Sequence, residues 1–182
     1  MAYLQFTQKA LKALGLKPVE IDASEDNIPG SLGSWHVNLL YIERKKCLLF
    51  VNNKVLISFF IAGVQKSDGT RIKELFQEHL AKLLIMLEIE SSKVFKVLSE
   101  YNDLEITKTS NRSVLGTLND LGFILKSSIE LHEGLQFCDL DRTTLRLNDT
   151  PMHCSTKNAF WPVTALRELI GEPPQARREI LY

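Results

Sequence analysis

Cysteine is scarce in this sequence, and its placement predicts neither a metal site nor a disulfide. Cys47, Cys138 and Cys154 lie far apart, and no Cys-x-x-Cys pair occurs. His153 stands next to Cys154, but a third partner at a useful spacing for a nucleophile or a metal is missing. The sequence therefore indicates no metal and no cofactor.

An excess of charge of either sign is also missing. Lysine and arginine together number 22, as do aspartate and glutamate, so the formal net charge is zero at pH 7. This balance argues against a strongly basic nucleic-acid-binding protein but leaves room for a local basic patch. No apolar run of about 18 residues occurs, and MAYLQFTQKALKALG lacks the layout of a secretory signal. We therefore expect a cytoplasmic protein without a membrane partner.

The clearest structural pattern lies in residues 35–61. In WHVNLLYI, Trp35 falls on one face of a strand and both His36 and Asn38 on the other. ERKK turns the chain, CLLFV reads as a short buried strand, Asn52-Asn53 as a tight turn and KVLISFFIAG as another strand. The pattern predicts a three-stranded antiparallel meander.

The remaining segments complete an α+β fold. YLQFT and LEITKT read as further strands, and helices are predicted in TQKALKALG, SDGTRIKELFQEHLAKLLIMLEI, KVFKVLSEY and the segment after LEITKT. We predict an antiparallel sheet of four to five strands, with the meander at its centre and helices on one side, over residues 1–130. Residues 131–182 are predicted to be a helical appendage packed on this domain, because about fifty residues with few aromatics make a marginal core alone.

The segment TKTSNRSVLGTLND, residues 107–120, places polar side chains around a glycine in an otherwise amphipathic helix. At about 100° per residue the leucines take one side of the helix. The opposite stripe holds Arg112, Ser113, Gly116, Asn119 and Asp120. A glycine inside a helix costs roughly 1 kcal/mol relative to alanine. We therefore expect either another backbone to pack against Gly116 or a ligand to approach it.

The start of this helix is a candidate anion site, because its free N–H groups lie beside an arginine and hydroxyl groups. Asparagines of the meander join the site if their sheet face looks toward the helix. The candidate ligand-binding residues are Asn38, Asn52, Asn111, Arg112, Ser113, Gly116, Asn119 and Asp120. The structural alternative is that Ser110 or Asn111 only caps the helix and that Gly116 lets it lie close to the sheet.

Several motifs together resemble a prokaryotic family of uncharacterised domains. They are a Thr-Lys-x-Leu-Leu start, a Trp-x-x-Asn-Leu strand, an arginine-lysine turn, a Leu-Phe-Val-Asn strand and an Asn-Arg-Ser-x-x-Gly-x-x-Asn-Asp helix. Here they fall on residues 7–14, 35–39, 44–46, 49–52 and 111–120, so the resemblance covers about residues 1–130. It implies a prokaryotic, soluble protein. It also implies a link to mobile elements, because in some relatives a similar domain is fused to a plasmid-associated ORF-3-like domain. No activity follows from it.

Three functions stay open, since no HExxH, P-loop, GxSxG or GxGxxG motif occurs. The favoured one is a non-enzymatic module that binds a nucleic acid or nucleotide through Arg112, Ser113 and the helix start, with residues 44–46 widening the footprint. The second is a small metal-independent nuclease or transferase, with Asp120 as acid or base, Arg112 stabilising phosphate charge and His36 as second proton carrier. The third is a protein-interaction subunit such as a homodimer.

Overall fold

The protein is described by a computed structural model that covers residues 2–20, 31–109, 112–153 and 159–174. The strands and helices follow in this order: β1 Ala2–Phe6, α1 Gln8–Leu14, β2 Trp35–Ile42, β3 Lys45–Asn52, β4 Ser58–Ala62, a 3₁₀ helix Lys66–Arg71, α2 Ile72–Met86, α3 Ser91–Ser99, β5 Leu104–Lys108, α4 Arg112–Leu131, α5 Leu140–Asn148, β6 Met152–His153, β7 Ala159–Phe160 and α6 Pro162–Ile170. The predicted α+β class is confirmed. Among the described helices, none combines the length and the apolar character that a membrane crossing requires.

Five strands form the main sheet in the order β4-β3-β2-β1-β5. The predicted meander is confirmed, because β2 pairs antiparallel with β3, and β3 with β4. Strand β1 runs parallel to both of its neighbours, β2 and β5. In this register Gln5 stands beside His36 on one side and beside Thr107 on the other. The two parallel pairings make the sheet mixed and not antiparallel throughout as predicted, and they place the meander at one side of the sheet and not at its centre.

Helices cover both faces of the sheet, which corrects the prediction that they lie on one side. The first face, which carries Trp35, packs against α1, α2 and α3, and Leu166 of α6 joins the same core. The second face, which carries Leu40 and Leu49, packs against α4 and α5. The reason is that β2 and β3 are apolar on both faces, so each face needs its own cover to keep that surface from water.

The core of the first face is built on aromatic rings around Trp35. Its ring centroid lies 5.5 Å from Phe59 and 5.3 Å from Phe76. The indole N–H donates a 2.8 Å hydrogen bond to the Tyr101 hydroxyl, which in turn donates to the carbonyl of Gly33 at 3.0 Å. Trp35 and Tyr101 are thus buried with their polar atoms satisfied, which fixes the start of β2 against α2 and α3.

Helix α4 lies along β2 on the second face and runs in the same direction. Thr109, just before the helix, contacts His36 at the start of β2. Beyond the end of the helix, the backbone N–H of Leu135 donates to the Glu43 carboxylate at 3.1 Å, next to the end of β2. The start of α4 and the β2–β3 hairpin therefore lie at opposite ends of the sheet.

The segment after residue 131 contributes to both cores. Leu147 of α5 is buried in the second core and Leu166 of α6 in the first. Asn148 ties α5 to β4: its side-chain oxygen accepts from the Ser58 N–H, and its amide donates to the Ser58 carbonyl, both at 2.7 Å. Asn148 thereby pairs with the backbone of β4 much as a neighbouring strand does.

The turns of the meander differ from each other in length. The β2–β3 hairpin has a two-residue turn at Glu43 and Arg44, which both have positive φ. The β3–β4 connection spans residues 53–57, so the predicted tight turn at Asn52-Asn53 is wrong. The Asn52 side chain builds this longer connection by accepting from the N–H groups of Lys54 and Val55, both at 3.0 Å.

Candidate functional site

Three residues of the predicted polar stripe lie on the outward side of α4. Gly116, Asn119 and Asp120 are exposed, while Leu118 and Leu121 are buried against the sheet. Arg112 and Ser113 are the first two residues of α4, and their side chains lie outside the described part of the chain, as does Asn111 as a whole. The described part of the stripe therefore faces solvent.

The space above Gly116 is open. A Cβ atom built at this residue finds no atom within 4 Å. At Gly122, by contrast, a Cβ atom would lie 3.0 Å from Cδ2 of Leu40. Close packing of α4 on the sheet is thus explained by Gly122, and no described segment packs against Gly116.

A row of polar side chains crosses the second face near the start of α4. His36, Gln5 and Thr107 stand side by side on β2, β1 and β5. Nδ1 of His36 lies 3.0 Å from the Thr109 hydroxyl, and the side chain is only 1% exposed. Burial lowers the pKa of His36 to about 4, so the imidazole is neutral at pH 7.

The row is incompletely hydrogen-bonded among the described residues. Thr107 is 2% exposed and its hydroxyl has no partner there, and neither does Oδ1 of Asn53. The Asn53 amide donates weakly to Oε1 of Gln5 at 3.4 Å. Since buried polar groups are normally paired, these two atoms are the exceptional feature of the row.

The row lies where the helices that follow neighbouring strands switch from one face of the sheet to the other. After β1 the chain passes into α1 on the first face, and after the adjacent parallel strand β5 it passes into α4 on the second. In open α/β sheets such a change of face at the carboxyl ends of neighbouring parallel strands forms a crevice that commonly binds ligands. We name this place the switch-point crevice after its position in the topology; on its sheet side His36 and Thr107 are buried, and Asn38 and Thr109 are half-buried.

Asn38 lies on the sheet face that looks toward α4, as the candidate site requires. It is half-buried, and its Oδ1 accepts a 3.2 Å hydrogen bond from the Thr7 hydroxyl. Asp120, however, lies on the outward side of the same helix, whereas His36 is buried beneath it. The structure therefore does not bring together the acid and the base that the enzymatic alternative uses.

Asn52 lies on the opposite face of the sheet from Asn38. It stands opposite Trp35 in the β2–β3 register and is fully buried. Its amide donates to the Leu32 carbonyl at 2.9 Å, and its oxygen serves the β3–β4 connection. The side chain is thus committed to backbone groups, and Asn53 instead lies near the polar row.

A second concave site, which we call the lysine groove, opens on the first face near the β2–β3 hairpin. Its volume is about 430 Å³. The groove is lined by Lys9, Lys12, Ala13, Leu39, Tyr41, Lys46 and Lys66. This lining contains four lysines and no carboxylate, and no ion pair within 4 Å joins any of the four to another described residue.

Three segments that are distant in the sequence bring these lysines together. Lys9 and Lys12 lie one turn apart on α1, and Lys46 stands opposite Tyr41 in the β2–β3 ladder. Lys66 begins the 3₁₀ helix, which lies close to the end of α1 because Gly69 has no side chain to meet the Leu14 carbonyl. Each lysine alone looks like an ordinary surface residue, and of the four only Lys46, in the turn ERKK, was predicted from the sequence to contact the ligand.

The lysine groove and the start of α4 are separate sites. The 20 residues of α4 span about 30 Å, and the hairpin lies near the far end of that helix. The groove also opens on the other face of the sheet. We had predicted from the sequence that residues 44–46 widen a footprint at the start of α4, and the distance between the two places makes that prediction wrong.

The described residues offer little for metal chemistry. In the described ranges no three His, Cys, Asp or Glu side chains cluster closely enough to hold a metal ion. Cys47 and Cys138 are buried thiols.

A smaller cleft of about 220 Å³ lies between α4 and α5, next to Ser128 and Arg146.

Comparison with known proteins identifies the family without naming an activity. A search of curated proteins gave no match. The model of one family, described as "Domain of unknown function (DUF6933)", matches residues 3–165. The match includes all of β1 except its first residue, the whole meander, α4 and α5, and so extends past residue 130, where the resemblance in the sequence was expected to end. The chain belongs to the family of the domain of unknown function DUF6933.

Proposed function

We propose that this protein is a binding module for a phosphate-bearing ligand, a nucleic acid or a nucleotide, and that the lysine groove holds it. The observation that carries the proposal is the concentration of Lys9, Lys12, Lys46 and Lys66 around one concavity whose described lining has no carboxylate. The chain as a whole is electrically neutral. Placing four positive charges together therefore creates a local field that the net charge conceals.

The groove favours phosphate over a simple carboxylate ligand. Lysine ammonium groups are mobile point charges with three donors each, and several around one cavity suit a ligand that carries several anionic oxygens. None of the four is held by a carboxylate within the described chain. Binding therefore need not break an existing ion pair with a described residue.

Charge reversal at Lys9 tests the proposal. Lys9 is exposed near the start of α1, where a glutamate is compatible with the helix dipole, so Lys9→Glu is expected to fold normally. Lys96→Glu is the matched control, because Lys96 is an exposed helical lysine of α3 outside the groove and the change in net charge is identical. Fluorescence anisotropy with labelled nucleic acids and competition by inorganic polyphosphate measure the affinity at several salt concentrations.

The two variants are expected to differ. Lys9→Glu weakens binding at least several-fold at low salt, since it replaces an attraction by a repulsion, while Lys96→Glu stays near wild type. Equal losses in both variants would show that binding follows net charge and not the groove. Failure of nucleic acid, nucleotide and polyphosphate to bind at low salt would remove the proposal.

The switch-point crevice is a second place for the same class of ligand. It is favoured by the buried Thr107 hydroxyl, which has no described partner, and by the position at the carboxyl ends of β1 and β5. Asn111, Arg112 and Ser113, whose side chains lie outside the described part of the chain, are the further candidates that the sequence offers. Asn38→Ala separates the two places, because Asn38 lies on the second face and does not line the lysine groove: lost binding in this variant with normal binding in Lys9→Glu would assign the ligand to the crevice.

A further inference from the structure

Tyr41 adds an aromatic surface to the charge of the lysine groove. We infer that the ligand of the groove is a single-stranded nucleic acid, one base of which stacks on Tyr41 while the lysines bind the neighbouring phosphates. The inference rests on the proposed function and narrows its ligand class. Grooves that bind single strands combine the same two features, a positive track for the backbone and an aromatic platform for a base.

The Tyr41 ring is well placed to act as such a platform. Its side chain is 56% exposed although it belongs to β2, beside the nearly buried Leu39 that forms the floor of the groove. Lys46 stands directly opposite it on β3. A base that lies on the ring is therefore within reach of a cation that can bind its own phosphate. Because Tyr41 is fixed in a sheet, little ordering is needed before it binds.

The shape of the groove favours an unpaired strand over a duplex. A cavity of about 430 Å³ falls in the size range of small-molecule sites and can take a base that has left its stack. A duplex keeps its bases stacked inside and would touch only the lysines at the rim. The lysines approach from α1, from β3 and from the 3₁₀ helix, so they lie on different sides of the concavity. A flexible single strand can bend to bring successive phosphates to them, whereas the phosphates of a duplex keep a fixed line.

The charges near the groove favour a strand over a free nucleotide. Arg44 is exposed in the turn of the same hairpin, close to Tyr41 in the sequence, and a strand that leaves the groove can reach it; Lys45 belongs to the other face, because it pairs with Ile42 of the second core. A strand that contacts the four groove lysines should release about three counterions, which corresponds to a roughly 50-fold loss of affinity between 50 and 200 mM salt. A mononucleotide contacts fewer lysines and should lose much less.

The decisive experiment uses the intact protein and a labelled oligothymidylate of about ten nucleotides, a length that suits one small binding groove. Tyr41→Ala is expected to weaken binding roughly 5- to 150-fold, the loss typical of a removed stacking contact, and Tyr41→Phe to restore it. Phe95→Ala is the matched control, because Phe95 is a 74% exposed aromatic residue of α3 that does not line the groove. Polyphosphate, which has no base, should bind wild type and Tyr41→Ala equally.

Each contrary result has a distinct meaning. If Tyr41→Ala leaves oligothymidylate binding unchanged while Lys9→Glu weakens it, phosphates alone are recognised; the inference is then overturned and the proposed function stands. If a duplex binds as tightly as the strand, or thymidine monophosphate binds as tightly as the oligonucleotide, the assignment to single strands is wrong. If neither the nucleic acids nor polyphosphate bind, both proposals fail.

Discussion

Asn148 holds α5 to the outer edge of the main sheet, and its truncation should be among the most destabilising changes of a polar residue. Its side chain makes three hydrogen bonds, to the N–H and C=O of Ser58 at 2.7 Å each and to the Thr144 carbonyl at 2.8 Å. Both Asn148 and Ser58 are fully buried. Asn148→Ala therefore leaves one donor and one acceptor of the β4 backbone without a partner and away from water.

The expected loss can be worked out from these contacts. An unsatisfied buried backbone group costs about 1–3 kcal/mol, so two groups cost about 2–6 kcal/mol. The better helix propensity of alanine returns about 0.5 kcal/mol. The free energy of unfolding should thus fall by roughly 2–5 kcal/mol, a large part of the 5–15 kcal/mol typical of a whole domain.

Urea unfolding followed by far-UV circular dichroism measures this loss. Asn119→Ala is the control, because Asn119 is exposed on α4 and its truncation should change the free energy of unfolding by less than about 0.5 kcal/mol. An Asn148→Ala protein within about 0.5 kcal/mol of wild type would refute the reasoning, since the Ser58 hydrogen bonds would then add no net stability. A separate early transition in this variant would show that the segment after residue 131 unfolds alone.

Three further predictions concern single positions. Gly116→Ala should raise the free energy of unfolding by about 0.5–1 kcal/mol in thermal melts, because the added methyl group meets no atom; a lower melting temperature would contradict the open space described there. Gly69→Ala should lower it by about 1–3 kcal/mol in urea, because the new Cβ would collide with the Leu14 carbonyl; an unchanged midpoint would show that the contact relaxes freely. The free energy of unfolding of the wild-type protein should fall by roughly 3 kcal/mol between pH 6.5 and pH 4. The unfolded chain binds a proton at His36 below about pH 6.5, whereas burial keeps His36 of the folded chain neutral until about pH 4. His36→Gln should lose correspondingly less free energy across that range.

Much of the fold could be predicted from local patterns. The alternation in WHVNLLYI places Trp35 and His36 on opposite faces of β2, as the structure has them. Helix ends were also predictable: Gly15 and Gly171 end α1 and α6 in left-handed conformation, and Pro162 opens α6. These signals act within a few residues, so the sequence displays them directly.

The arrangement of the sheet was not predictable in the same way. The parallel pairing of β1 with β2 and β5 joins segments that are distant along the chain, and no turn motif announces it. Covering helices on both faces also follow from tertiary packing, because a strand that is apolar on both sides can be buried in more than one way.

The candidate sites show the same division. The stripe of Gly116, Asn119 and Asp120 was visible as a helical pattern, and the structure exposes all three residues. The lysine groove could not be predicted from the sequence, because Lys9, Lys46 and Lys66 come together only when α1, β3 and the 3₁₀ helix pack in the folded protein. Asn52 shows the opposite error: an asparagine in a turn looked available for a ligand but serves the backbone of the β3–β4 connection.

The position of β1 between β2 and β5 has a consequence for how the chain reaches its native state. Ala2 pairs with Leu104, about a hundred residues further along the chain, whereas β2, β3 and β4 pair with their sequence neighbours. Closing so long a loop costs conformational entropy, and this cost must be offset by other contacts before the pairing is stable. The meander should therefore form early and the β5–β1 ladder late. In pulse-labelling hydrogen exchange during refolding, the amides of β3 should gain protection before those of β5.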